Sequence, residues 1–125
     1  MRNHVEVLRL YADDDGESRF DMVEIPMALK DFAPPGDVLC VSEPRAATRY
    51  VHIRLPTGWG GECHPSPRRQ ILFCLTGALD VIASTGETRS VAAGDAWLMA
   101  DTHGKGHVTR VTSKDPVSAV IVQLE

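Results

Sequence analysis

The 125-residue chain is one domain's worth of sequence, long enough to bury a single core without staples. Its apolar fraction of 43% and charged fraction of 24% are those of a globular protein, which excludes a disordered tail, a collagenous repeat and a heptad rod. Thirteen basic against seventeen acidic residues leave a net charge of −4, so no basic surplus exists to neutralise nucleic acid.

The N-terminal residues Met1–Glu6 lack the apolar core of a signal peptide, and no run approaches the ~20 apolar residues of a membrane helix. Cys40, Cys63 and Cys74 are odd in number and contain no CxxC pair, which argues against a zinc ribbon and for a reduced setting. The expectation is a soluble, cytoplasmic protein without a nucleic-acid or membrane partner.

Val5–Leu10 and Phe20–Ile25 read as strands flanking the acidic loop Asp13–Glu17, a solvated turn without the spacing of a calcium loop. Pro26–Phe32 has the punctuation of a helical turn, with Pro26 at its start and Pro34 beyond its end. From there on, glycine and proline divide the chain into short segments rich in Val, Ile, Leu and Thr. Strands are predicted over Tyr50–Leu55, Arg69–Thr76, Ala78–Ala83, Thr88–Val91, Ala96–Ala100, His107–Thr112 and Val117–Leu124. Ser84–Glu87 reads as a hairpin turn, Val91–Asp95 as a corner, and Gly104-Lys105-Gly106 as a tight turn. Such spacing predicts an all-β sandwich or barrel, and a closed barrel would remove the edges of so many short strands.

Within Tyr50–Leu55, alternation puts His52 and Arg54 on one face, either into the barrel or, by default, toward solvent. The most informative stretch follows: His64-Pro65-Ser66-Pro67-Arg68-Arg69-Gln70, then the apolar strand ending at Gly77. Extension places Arg68, Gln70, Leu72 and Cys74 on one side and Arg69, Ile71, Phe73 and Leu75 on the other. A polar Gln70 opening an apolar face suits the mouth of a wet pocket or a bond to a neighbouring loop. Ser66 has no nucleophile elbow around it, and Cys63 points away from His64 on an extended chain. Trp59 and Trp97 read as packing or rim residues.

The stretch resembles the first motif of the cupin superfamily, in which His-x-His precedes a Glu and then a Gly. His64 takes the first histidine place, Ser66 the second, Gln70 the glutamate place and Gly77 the closing glycine. Gly94–Ala100 resembles the start of the second motif, whose histidine would be His107, reached through a longer loop, Asp101–Gly106, without the usual proline. The resemblance implies a jelly-roll barrel (a double-stranded β-helix) over 50–125. Strands and loops of 1–49 would pack on that barrel or across a homodimer, within one structural domain.

The departures from the motif deplete the metal site that the family carries. Gln70 removes the anionic ligand and Ser66 is a poor one, leaving His64 and His107 with a weak amide oxygen. A metal-free pocket is the preferred reading. Zinc, nickel, iron or manganese on His64, Gln70 and His107 is the alternative. With His64 and His107 as acid/base residues and His52, Arg54, Ser66, Arg68, Gln70 and His103 around them, the pocket would suit a carboxylate, an enolate or phosphates. The function implied is a small-molecule-binding cupin, in one form a metal-independent isomerase, epimerase or lyase acting on a polar or anionic molecule. The alternatives are a non-catalytic sensor or accessory module, and a metal-dependent oxygenase or isomerase with a depleted ligand set.

Overall fold

In the computed structural model, which describes residues 4–124, eleven strands follow one another without an intervening helix among the described residues. They are β1 (His4–Ala12), β2 (Ser18–Pro26), β3 (Ala28–Lys30), β4 (Leu39–Val41), β5 (Arg49–Leu55) and β6 (Gln70–Thr76), then β7 (Ala78–Ala83), β8 (Thr88–Ala92), β9 (Ala96–Ala100), β10 (His107–Val111) and β11 (Val117–Gln123). A six-stranded sheet in the order β2-β1-β9-β6-β11-β5 faces a three-stranded sheet in the order β10-β7-β8. The all-β, jelly-roll architecture expected from the sequence is the one observed. No helix is long and apolar enough to cross a membrane among the described residues.

The period-two pattern of each strand explains which side it buries. In β6, Gln70, Leu72 and Cys74 point inward, while Phe73 and Leu75 stay exposed on the other face. In β7, Leu79, Val81 and Ala83 are buried between the sheets. Leu72, Cys74, Leu79, Val81 and Ala83 join Leu10, Trp97, Met99, Val117, Ala119 and Ile121 in one continuous core. Trp97 is the largest side chain enclosed there.

The predicted hairpin and corner also form. Gly86 takes φ +91° in the β7–β8 turn, where its N–H donates to Ala83 O at 2.9 Å. Gly94, at φ +92°, lies in the corner that Asp95 closes by accepting the Ala92 N–H at 2.9 Å.

β1 and β2 are part of the six-stranded sheet of their own chain. β1 runs parallel to β9, from Leu8 opposite Trp97 to Tyr11 opposite Ala100, and β2 covers its other edge. The helical turn expected over Pro26–Phe32 is not formed. Residues 28–30 are a strand instead, because the chain reverses through Gly36, whose N–H donates to Ala33 O. That reversal lays β4 antiparallel on β3, with Leu29 opposite Cys40. A short isolated helical turn satisfies few of its own backbone groups, and the ladder supplies partners from a second strand.

Candidate functional site

Two segments far apart in sequence meet along one ladder. β10 pairs with β7 on one side, His107 opposite Ala83. On its other side the irregular segment after β5 runs antiparallel to it, bridging Gly60 to Arg110 and His64 to His107. The His64 and His107 backbones exchange both hydrogen bonds, at 3.1 and 3.0 Å. Their rings lie 5.4 Å apart, tilted by 52°.

Gly106 makes this approach feasible. It sits at φ +78°, and a Cβ there would come within 2.1 Å of the His64 carbonyl carbon.

His107 is 1% exposed and His64 lies exposed beside it, so the pair reaches from the interior to the surface. Behind His107 stands Asp101, wholly buried, with Oδ2 2.6 Å from His107 Nδ1. The other carboxylate oxygen accepts the Ser66 hydroxyl at 2.7 Å, and the Ser66 N–H donates to the Asp101 carbonyl at 2.9 Å. Trp97 meets the His107 ring edge-on, with centroids 5.3 Å apart and planes at 82°. Its indole N–H is the one buried side-chain polar atom without a hydrogen-bond partner among the described residues.

The chemistry of this cluster follows from what each group can donate. A carboxylate only accepts, so Asp101 holds the proton of His107 on Nδ1 and leaves Nε2 as the acceptor nitrogen. It also balances the imidazolium that forms when Nε2 takes up a proton. Ser66 fills the second carboxylate oxygen, so Asp101 cannot swing away from the imidazole without losing a buried bond.

The same bonds bear on the alternative reading of a metal held by His64, Gln70 and His107. Asp101 has an oxygen committed to each of two hydrogen bonds. Ser66 is bound to it, and the Gln70 amide points a donor at Met99 Sδ, 3.5 Å away. What remains is two imidazoles and the neutral Gln70 amide oxygen, a set without the anionic or third imidazole ligand that would hold a resident divalent ion firmly. One other group among the described residues brings three donors within 4.8 Å of one another: His4, Glu6 and Glu24, at the open end of β1 and β2.

The other predicted residues divide by placement. Ser66 and Gln70 are both buried, Ser66 bonded to Asp101 and Gln70 directed at Met99. His52 and Arg54 are not there. They lie exposed on the outer side of β5, His52 opposite Val120 and Arg54 opposite Ser118, whose hydroxyl accepts from Arg54 Nε at 3.3 Å. Their strand packs Ile53 and Leu55 against the core, and period two sends His52 and Arg54 the other way. Arg68 and His103 sit in exposed loops.

Asp101 escaped the sequence reading, although a signal was present. The alternation Trp97, Met99, Asp101 continues the inward face of β9 by one step, which puts a carboxylate inside.

No protein-family model and no curated protein matches the chain. Among solved structures it is similar to a Cupin 2 conserved barrel domain protein from Salinispora arenicola, with TM-score 0.53 and 14% identity over 81% of this chain and 76% of that one. KdgF from a Halomonas species aligns at TM-score 0.49 and 22% identity, over 78% of this chain and 88% of its own. The cupin domain of Cnp3 from Schizosaccharomyces pombe aligns at TM-score 0.49 and 12% identity, over 100% and 86%. The first of these establishes the cupin barrel fold for this chain.

Proposed function

We propose, with the cupin barrel fold as premise, that the protein binds a small polar or anionic molecule beside His64 and moves a proton on it through His107. The observation that carries this reading is the buried Asp101–His107 pair, 2.6 Å apart, next to an indole N–H that lacks a protein partner. Burial of such a pair is costly, and a barrel of this size could be filled with apolar side chains instead. An imidazole whose tautomer is fixed by a carboxylate is the arrangement that general acid–base chemistry requires.

In this reading His107 Nε2 takes a proton from a carbon or hydroxyl of the ligand, Asp101 steadies the resulting imidazolium, and the Trp97 N–H donates to a ligand oxygen. Proton return to a neighbouring atom gives an isomerase, return to the opposite face of the same carbon gives an epimerase, and expulsion of a leaving group from the adjacent carbon gives a lyase. The steps use this chain's own residues.

The test is hydrogen exchange. A panel of hydroxy- and oxo-carboxylates is incubated with the protein in D2O and followed by proton NMR. Wild type should wash out a proton adjacent to the carbonyl of at least one member. His107→Gln should abolish that exchange, and Asp101→Asn should slow it by about 10²-fold or more, by letting the imidazole take the wrong tautomer. Saturable binding without exchange in any member would reduce the protein to a non-catalytic binding module.

A second reading concerns assembly. The β3–β4 hairpin pairs with no further strand among the described residues and exposes Leu29, Phe32, Val38 and Leu39. This supports a homodimer in which the hairpin packs on a second copy.

A further inference from the structure

A sheet packed on a core through one face usually presents the other, polar, to water, as the mostly antiparallel pairing here would allow. The six-stranded sheet departs from that rule. Its outer face carries Val7, Ile71, Phe73, Leu98, Val122 and Leu124 across four adjoining strands and the residue that follows β11. Val7 and Leu98 are nearly inaccessible although they point away from the barrel core.

What shelters them is a strap, residues 42–47, that crosses the face without pairing to it. The strap is tethered at both ends. Glu43 pairs with Lys30 at 2.5 Å, and the Thr48 N–H donates to the Gln123 carbonyl at 2.8 Å. Between strap and sheet runs a groove of about 720 Å³, within the size range of small-molecule sites.

The groove's charge is as unusual as its floor. Glu43 is its one acidic lining residue, and Lys30 neutralises it. Arg45, on the strap, and Arg69, immediately before β6, also line the groove, and neither guanidinium has a hydrogen-bond or ion-pair partner within the described residues. Two unpaired guanidiniums at the edge of an apolar trough complement an anionic head on an apolar chain. Guanidinium binds carboxylate through paired, charge-assisted hydrogen bonds.

We propose that this groove is a binding site for a lipophilic carboxylate, an acyl chain lying on Val7, Ile71, Phe73 and Leu98 with its head between Arg45 and Arg69. The site lies on the opposite side of the six-stranded sheet from His107 and is independent of the chemistry proposed there.

Isothermal titration with decanoate tests it. Saturable uptake of one decanoate per chain is expected, in monomer or dimer alike. The double variant Arg45→Gln/Arg69→Gln, which alters exposed side chains alone, should bind about tenfold or more weakly. Ala47→Trp, which fills the trough, should bind no decanoate while its thermal transition stays cooperative. Decyltrimethylammonium, with the same chain and the opposite charge, should not bind. Absence of saturable uptake overturns the proposal, as does equal binding of the cationic amphiphile. Binding lost in His107→Gln but kept in the double arginine variant would place the acid in the barrel. A dimer by light scattering that excludes decanoate would assign the groove to a second copy of the chain. Either result refutes the assignment made here.

Discussion

At the scale of the residue, the site is a closed accounting of hydrogen bonds around one carboxylate. Asp101 accepts from His107 on one oxygen and from Ser66 on the other, all three buried. Ser66→Ala leaves one carboxylate oxygen buried and unpaired, which should cost about 1–3 kcal/mol. Asp101→Ala strands both donors and should cost about 3–5 kcal/mol, the range for breaking a buried pair from one side. Urea unfolding of the two variants against wild type checks the order. Equal losses would mean that the Ser66 bond, and not the pair, dominates. Gly106→Ala belongs to the same series, since its Cβ would collide with the His64 backbone and open the ladder that sets the two imidazoles together. His64, Ser66 and Gln70 were legible as a motif because their spacing is local, and His107 only through the resemblance of Gly94–Ala100 to a second motif. The partnership with Asp101 was not, because it depends on where β9 ends relative to β10.

The cysteines separate at this same scale. Cys63 is exposed, with its thiol donating to the Lys105 carbonyl at 3.1 Å. Cys74 is buried, and burial, reinforced by Asp95, pushes its thiol above the ordinary range. Iodoacetamide at neutral pH should therefore alkylate Cys63 in the native protein and reach Cys74 only as the barrel unfolds, a difference peptide mass spectrometry reads directly.

Among elements, the acidic turn after β1 does more than face water. Ser18 donates to the Gly106 carbonyl at 2.7 Å and accepts the Ser84 N–H at 2.7 Å, wholly buried. Glu17 accepts the Ser84 hydroxyl at 2.6 Å and pairs with Lys105, while the Gly16 carbonyl accepts the Lys105 N–H at 2.9 Å. The β1–β2 turn thus clamps the β7–β8 turn and the Gly104–Gly106 loop that delivers His107. Composition revealed the strands well, since period two is a local property. It could not reveal this clamp, whose partners are 66 and 88 residues apart in sequence. The faces of β5 were ambiguous for a similar reason, because alternation fixes which residues share a side but not which side is inside.

The clamp carries a pH dependence whose sign is fixed. Lys105, and after it the Ser84 hydroxyl, hold the Glu17 carboxyl below its ordinary value of 4.5. A carboxyl depressed in the folded state stabilises it fully above that value, and the contribution fades as pH falls through the lower, folded-state pKa. Protection factors of the amides of residues 104–106, corrected for the intrinsic slowing of exchange in acid, should accordingly fall on acidification below about pH 4.5, ahead of those of β6 and β9. In Glu17→Gln the same amides should exchange faster already at neutral pH and show less further response to acid. A loop that responds identically in both proteins would remove Glu17 from the clamp.

For the whole molecule, the distribution of apolar surface points to assembly. A two-stranded hairpin is at best marginal in water without a further packing surface. The β3–β4 hairpin nevertheless exposes Leu29, in β3, and Phe32, in the connection that follows it, at 67% and 63%. Large apolar groups gathered on one projecting element mark a contact surface rather than scattered exposure. A second copy can supply that surface in a two-fold arrangement, each hairpin packing on the other chain, with the groove under residues 42–47 left open. Light scattering should give twice the 13.7 kDa of one chain at micromolar concentration. Each large side chain buried is worth about 1.5–3 kcal/mol, so Leu29→Asp/Phe32→Asp should weaken dimerisation by at least about two orders of magnitude and return the single-chain mass. The barrel core lies elsewhere, so the variant should keep its strand content by circular dichroism. An apolar interface also has a salt signature, strengthening in sulfate where an ionic one would be screened. A wild-type mass of 13.7 kDa at all concentrations would leave the hairpin without a partner copy and refute the dimer.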